Sequence, residues 1–198
     1  MIIRKKFNVE SAHIVRNCTS TRCSHSIHGH SAVIEVFFEG RQLDNAQMVM
    51  DFGLMKGSIK QFIDSMDHCY LLCNKENREF RNFIKQNCER YIEMPFNPSA
   101  EMLSTFLLAG INYIIGHTVF NNGESADIRC VSVRYHETTT GWAQADLEDV
   151  KNLIGENMMW SDFEFSDGVR DDWSEELTQC LDADGKIVNP VIEQQISL

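Results

Sequence analysis

Between Cys18 and Ser31 the chain reads CTSTRCSHSIHGHS, a polar stretch holding two cysteines and three of the chain's seven histidines. At its centre is His28-Gly29-His30. Residues two apart in a strand point to one face, so His28 and His30 can aim two imidazoles at one point. Gly29 permits a close approach of backbone or ligand. His13 ends an earlier apolar-patterned run and is a candidate third nitrogen. Three neutral imidazoles around an open coordination position make a catalytic zinc site, where the ion acts as a Lewis acid on a carbonyl or alcohol. A bare HxH also has a blander reading, a polar residue on the wet face of a strand. A structural clip made from Cys18, Cys23, His28 and His30 is a further alternative, although histidines in structural sites are usually spaced three to five apart.

Three more groups carry chemistry. Cys23 lies in the same polar loop, beside Arg22. Cation and metal fields lower a thiol's pKa and make a thiolate base or nucleophile available near neutral pH; the alternative is an inert, buried thiol. Asp67-His68 falls where a helical pattern stops. An Asp that orients a His is an acid–base unit, but neighbours on a regular helix do not face each other, so cooperation needs irregular backbone or a contact across chains. The alternative is a histidine stabilised by the helix dipole. Glu137 ends a strand in front of Thr138-Thr139-Thr140. It is either an exposed turn carboxylate or a receptor for a ligand edge with two parallel N–H donors.

These groups need a scaffold. The 198 residues suit one domain of ordinary size or a domain with an extension. At 43% hydrophobic residues the chain can bury a core. No apolar run reaches the roughly 18 residues of a membrane span, and the N-terminus does not read as a signal peptide. Seven cysteines without a spaced framework read as reduced thiols in a cytoplasmic protein. Residues 1–145 balance 15 Lys/Arg against 15 Asp/Glu, whereas residues 146–198 hold 3 against 14 and carry the whole net charge of −11. That balance leaves the first part open to an anionic substrate and argues against nucleic acid as a partner.

Alternation predicts strands over 2–13, 30–39, 127–136 and 142–147, with 14–29 as a long functional loop. Helical spacing predicts a helix over 52–66 capped by Asp51, and an apolar helix from a Ser99 cap to about residue 115. Residues 77–88 have room for a short helix between charged flanks. The resulting order, β-β-α-α-β-β, predicts an α+β fold: an antiparallel four-stranded sheet with two helices on one face. From about Lys151 acidic pieces alternate with Met158, Met159, Trp160, Phe163, Phe165 and Trp173. We expect a domain over 1–150 and an acidic extension over 151–198, partly docked through its aromatics.

HGHS after a cysteine-bearing loop, MDFGLMK, MDHCYL, NPSAE and VRYHETTTG follow one another in an order that resembles the 6-pyruvoyltetrahydropterin synthase and 6-carboxytetrahydropterin synthase family. The resemblance covers about residues 1–147 and is stronger to the queuosine-pathway branch, 6-carboxytetrahydropterin synthase. It implies a tunnelling fold (T-fold) whose sheets close edge to edge into trimer-based homo-oligomeric barrels, commonly stacked to hexamers, with active sites between subunits. It implies Zn2+ held by His13, His28 and His30, Cys23 as the proton-abstracting base, and Asp67 and His68 as a partner dyad. It further implies Glu137 as the anchor of a pterin substrate, with Glu101 assisting from the Pro98–Glu101 segment. The implied reaction is the zinc-dependent conversion of 7,8-dihydroneopterin triphosphate. The product is either 6-carboxytetrahydropterin, with triphosphate and acetaldehyde released, or the 6-pyruvoyl compound. Readings from other classes are a zinc-free tunnelling-fold enzyme and a non-catalytic, zinc-stabilised interaction protein.

Overall fold

The structure is a computed structural model that describes residues 1–155 and 159–188. Met158, one of the apolar residues expected to dock, and residues 189–198 of the expected extension lie outside the described residues.

The chain begins with a long hairpin. β1 (Ile2–His13) and β2 (His28–Glu39) pair antiparallel over their full lengths, from Ile2 opposite Glu39 to His13 opposite His28. The loop between them contains one helical turn, α1 (Thr21–Ser24). The helix expected over 52–66 is two helices, α2 (Phe52–Lys56) and α3 (Ser58–Asp64), interrupted at Gly57, whose ψ of −121° is not helical. Asp51 caps α2 by accepting from the Gly53 N–H. Then come β3 (Cys69–Cys73), α4 (Arg78–Asn87), β4 (Tyr91–Met94) and α5 (Ala100–Gly116), the last capped by the Ser99 side chain. β5 (Thr118–Val119), β6 (Arg129–His136), β7 (Trp142–Asp146) and α6 (Leu147–Asp149) follow. The remainder forms β8 (Glu164–Phe165), α7 (Asp167–Arg170), α8 (Glu175–Ala183) and β9 (Ile187–Val188).

One expectation needs correction. Among the described residues the sheet has seven strands, in the order β7-β6-β2-β1-β3-β4-β8, and is mixed. Its antiparallel part, β7-β6-β2-β1, is the expected hairpin pair. β3 joins β1 in parallel, β4 joins β3 in parallel, and β8 closes antiparallel on β4. Every residue of β3, Cys69–Cys73, is buried. A strand covered on both faces shows no apolar alternation, which is why it was not legible. The two expected helices share one face, and a third lies on the other. α3 and α5 pack with Val9, Ile34, Val36 and Phe38 in the main core. α4 lies across the opposite face, where Ile84 meets Tyr70 and Leu72.

Chain after residue 150 enters that main core. Phe163, Phe165, Val169, Trp173, Leu177 and Leu181 are buried in it. Trp173 Nε1 donates to Ser65 Oγ at 2.8 Å, so the indole has both an apolar socket and a polar partner. Arg90 donates to the Gly168 carbonyl and to Asp172. No helix among the described residues is long and apolar enough to cross a membrane.

Candidate active site

The hairpin register builds the site. Val9 faces Ala32, Ser11 faces His30 and His13 faces His28. These residues have the parity of the core-facing side chains, so the apolar face of the hairpin ends in three imidazoles. Their ligand nitrogens lie within 4.8 Å of one another. The rings stand 4.6 to 5.2 Å apart between centroids. Gly29 sits opposite Ala12 between the two histidines of β2; a Cβ there would lie 2.9 Å from the Ser11 carbonyl oxygen, so the tight crossing needs glycine.

Each of two rings is held by one nitrogen. His13 Nδ1 donates to the Pro98 carbonyl at 2.8 Å, and His28 Nδ1 donates to the Ser26 carbonyl at 3.0 Å. That leaves Nε2 of each as the free lone pair, the arrangement that orients metal-ligating histidines. Nε2 of His13 and of His30 are buried and have no hydrogen-bond partner among the described residues. A buried, unpaired polar atom is costly, and two of them aimed at one point fit a divalent cation. The donor set suits zinc, with room for a further ligand. Cys18 and Cys23 lie outside this group.

Burial, and then the neighbouring His28 ring, lowers the His13 pKa to about 4; the Pro98 hydrogen bond opposes the shift and His30 adds to it. The folded metal-free protein therefore keeps His13 neutral, ready to ligate. Between pH about 6.5 and about 4 the unfolded chain holds a proton at His13 that the folded chain does not. Metal-free stability must fall as pH drops through that window, by up to ~3 kcal/mol. Urea midpoints of chelator-treated protein are expected to decline from pH 6.5 to 4, and His13→Gln is expected to flatten the decline. Equal slopes for both proteins would contradict it.

The other expected residues are distributed around this centre. Glu137, just past β6, places Oε1 3.5 Å from both His13 Nε2 and His30 Nε2. Asp67 and His68 do face each other, with His68 Nδ1 3.0 Å from Asp67 Oδ2. The irregular backbone that this requires is present: His68 has φ +50°. Its N–H donates to the Glu10 carbonyl, while the Glu10 N–H donates to Asp67 Oδ1 at 2.7 Å. Burial pushes the Asp67 pKa up, but the Glu10 N–H, His68 and Arg90 outweigh it and hold the carboxyl below its ordinary range. His68 lines a cleft of about 720 Å³ together with Glu10, Gly29, Tyr70 and Arg90. Glu10, Gly29 and Ser31 alternate with the core-facing histidines, so this cleft opens mainly on the opposite face of the sheet, although His30 also lines it.

Cys23 sits on α1, tied to the hairpin by the Val15 N–H donating to its carbonyl at 3.0 Å. Glu101 is exposed in the first turn of α5, three residues beyond the carbonyl that holds His13. Within one chain, then, the structure brings together His13, His28, His30 and Glu137, and leaves Cys23, Asp67, His68 and Glu101 outside that cluster. Arg90 escaped the sequence reading. It donates to the Asp67 and Asp64 carbonyls at 3.0 and 3.1 Å, supporting the dyad from below. A single arginine in a mixed charged stretch gives no signal for that role. The carbonyls of Pro98 and Ser26 were equally silent, because backbone acceptors have no residue type.

The 6-pyruvoyl tetrahydropterin synthase family model matches residues 2–148. The chain belongs to the 6-pyruvoyl tetrahydropterin synthase family. Relatives named 6-carboxy-5,6,7,8-tetrahydropterin synthase in two strains of Helicobacter pylori are 40% and 39% identical over 174 residues, covering 87% of this chain and 86% of theirs. One of the same name in Aquifex aeolicus is 29% identical over 124 residues, 60% of this chain and 73% of its own. Among solved structures, an uncharacterised protein of Wolinella succinogenes superposes with a TM-score of 0.60 at 21% identity, over 74% of this chain and 98% of that one. The 6-pyruvoyl tetrahydropterin synthase of Plasmodium vivax superposes with a TM-score of 0.52 at 15% identity, over 73% and 97%. These neighbours share the α+β T-fold. The Helicobacter similarity, at 174 residues, runs past the end of the family model, so part of the acidic segment after residue 148 is shared with those synthases.

Proposed function

We propose that the protein is a zinc-dependent 6-carboxytetrahydropterin synthase of 7-deazaguanine (queuosine) biosynthesis. It converts 7,8-dihydroneopterin triphosphate and one water to 6-carboxy-5,6,7,8-tetrahydropterin, releasing triphosphate and acetaldehyde. The observation that carries the reading is the pair of buried, unpartnered Nε2 atoms of His13 and His30, aimed with His28 at one point. The 40% identity to synthases of that name supports the branch.

Zinc bound by His13, His28 and His30 would polarise the substrate's side-chain oxygens and acidify the neighbouring C–H. The remaining work falls to the chain. The Cys23 thiolate takes a proton from the side chain. The Asp67–His68 pair gives or relays one, with Asp67 ionised and orienting the imidazole. Glu137 accepts the pterin's 2-amino and ring N–H groups as a fork, with Glu101 at the pocket's rim. The dyad lies across the sheet from the histidines of its own chain, which favours a site completed by another subunit of a homo-oligomeric barrel. Edge strand β7, open beyond Trp142–Asp146, has a physical motive for such closure.

Zinc-loaded protein incubated with 7,8-dihydroneopterin triphosphate is expected to yield 6-carboxytetrahydropterin and acetaldehyde by mass. The 6-pyruvoyl product without acetaldehyde would move the chain to the other branch. Untouched substrate would end the catalytic reading.

A further inference from the structure

We propose that Glu137 is a fourth ligand of the metal while the pterin site is empty, and that it exchanges the metal for the pterin's two N–H donors when substrate enters. This rests on the metal and anchor assignments above and adds a second role for one of their residues.

Three observations converge. First, one oxygen, Glu137 Oε1, stands 3.5 Å from both His13 Nε2 and His30 Nε2. A zinc tetrahedron with bonds of about 2.0–2.2 Å has edges of about 3.3–3.6 Å between ligand atoms. The carboxylate oxygen therefore keeps the spacing of a vertex from His13 and His30; it does not cluster with the His28 donor, so a rotation of the Glu137 side chain toward His28 is needed to complete the fourth vertex. Second, those nitrogens have no hydrogen-bond partner among the described residues, so the carboxylate is not there as their acceptor. Third, His13 donates its Nδ1–H to Pro98, so its Nε2 presents a lone pair. The lone pair on His13 Nε2 and the carboxylate oxygen, converging at a buried nitrogen, repel one another unless a cation lies between them.

Glu137 is also free to leave. Its side chain is 29% exposed, against 3% for His13. It hangs from a turn fixed by its neighbours, with the Gly141 N–H donating to Thr138 Oγ1 at 3.0 Å. A side-chain rotation can move the carboxylate without moving the strand. A pterin edge offers two parallel donors, a better match for a carboxylate than one shared vertex. Exchange would uncover the fourth metal position only once a pterin is seated, so binding precedes activation.

The test uses Co2+ as a spectroscopic stand-in and neopterin as a non-reacting pterin. Metal affinity is measured by chelator competition, and the cobalt visible bands are recorded with and without neopterin, for wild type, Glu137→Ala, Glu137→Gln and Cys23→Ser. Thermal melts of the metal-free proteins check that each variant is folded. The expected result is a 10- to 100-fold loss of affinity in Glu137→Ala and a smaller loss in Glu137→Gln. Neopterin should shift the cobalt bands of wild type and leave those of Glu137→Ala in place. Equal affinity and spectra in wild type and Glu137→Ala would overturn the proposal alone. So would a loss confined to Cys23→Ser, which would make sulfur the fourth ligand. Bands unmoved by bound neopterin in wild type would remove the exchange. Failure of wild type to take up metal would overturn the proposal together with the metal reading.

Discussion

Two inactive chains, His28→Ala and His68→Ala, are expected to recover activity when co-expressed, to about a quarter of the wild-type rate if subunits assemble at random. His28→Ala removes a metal ligand and leaves Asp67–His68 intact; His68→Ala does the reverse. The geometry dictates the outcome. The three histidines end the core-facing side of the β1–β2 hairpin. His68 lines the cleft over the other side, with a side chain 76% exposed. Within one chain only His30 of the three histidines borders the cleft that His68 lines, and Arg90 and the Glu10 backbone hold the dyad in place. If the dyad serves the histidines at all, it serves those of another copy. A site then works when its histidines come from a His68→Ala chain and its dyad from a His28→Ala chain. Product formation by doubly tagged, co-purified assemblies measures this, and metal content per chain should fall by half. Assemblies that contain both chains yet remain inactive would place the dyad and the histidines in one subunit; an active His68→Ala chain on its own would remove the dyad from the reaction.

What the sequence revealed follows from how each element is buried. The β1–β2 hairpin has one face in the core and one outside, so its alternation was plain, and the parity of His28 and His30 came with it. β3 is covered on one face by the main core and on the other by α4, and its CYLLC reads as a featureless apolar run. β4 is four residues long and carries Glu93 buried against Arg81 and Lys85, which reads as a charged loop. In β6 the register slips opposite Phe37 and Phe38, so Cys130, Val133 and Tyr135 all reach the core although they do not share one parity. The acidic extension showed its aromatics but not the partners of its charges, which lie elsewhere in the chain: Glu164 meets Lys85 and Asp172 meets Arg90. At the site, residue type announced every candidate donor, but pairing across 124 residues, as between His13 and Glu137, has no local signature.

Cys23→Ala is expected to cut turnover by about 10²–10⁴-fold while leaving metal content and thermal stability at wild-type levels. The choice among the loop's nucleophiles rests on what each already does. Cys18 donates its thiol hydrogen to the Ser20 carbonyl at 3.3 Å. Ser24 is buried, donates to the same carbonyl at 2.8 Å and lies 2.7 Å from His25 Nδ1. Cys23 is half-buried, and its sulfur makes no hydrogen bond among the described residues. Cys69 and Cys130 are buried, which pushes both thiols well above their ordinary range. Because Cys23 is not among the clustered metal donors, its loss should not release the ion. Steady-state rates, metal analysis and melts on Cys23→Ala and Cys18→Ala settle it. Cys18→Ala should retain activity within a few-fold. A fully active Cys23→Ala would mean that the proton is taken by another group, and the exposed Asp67–His68 pair would become the base to test next.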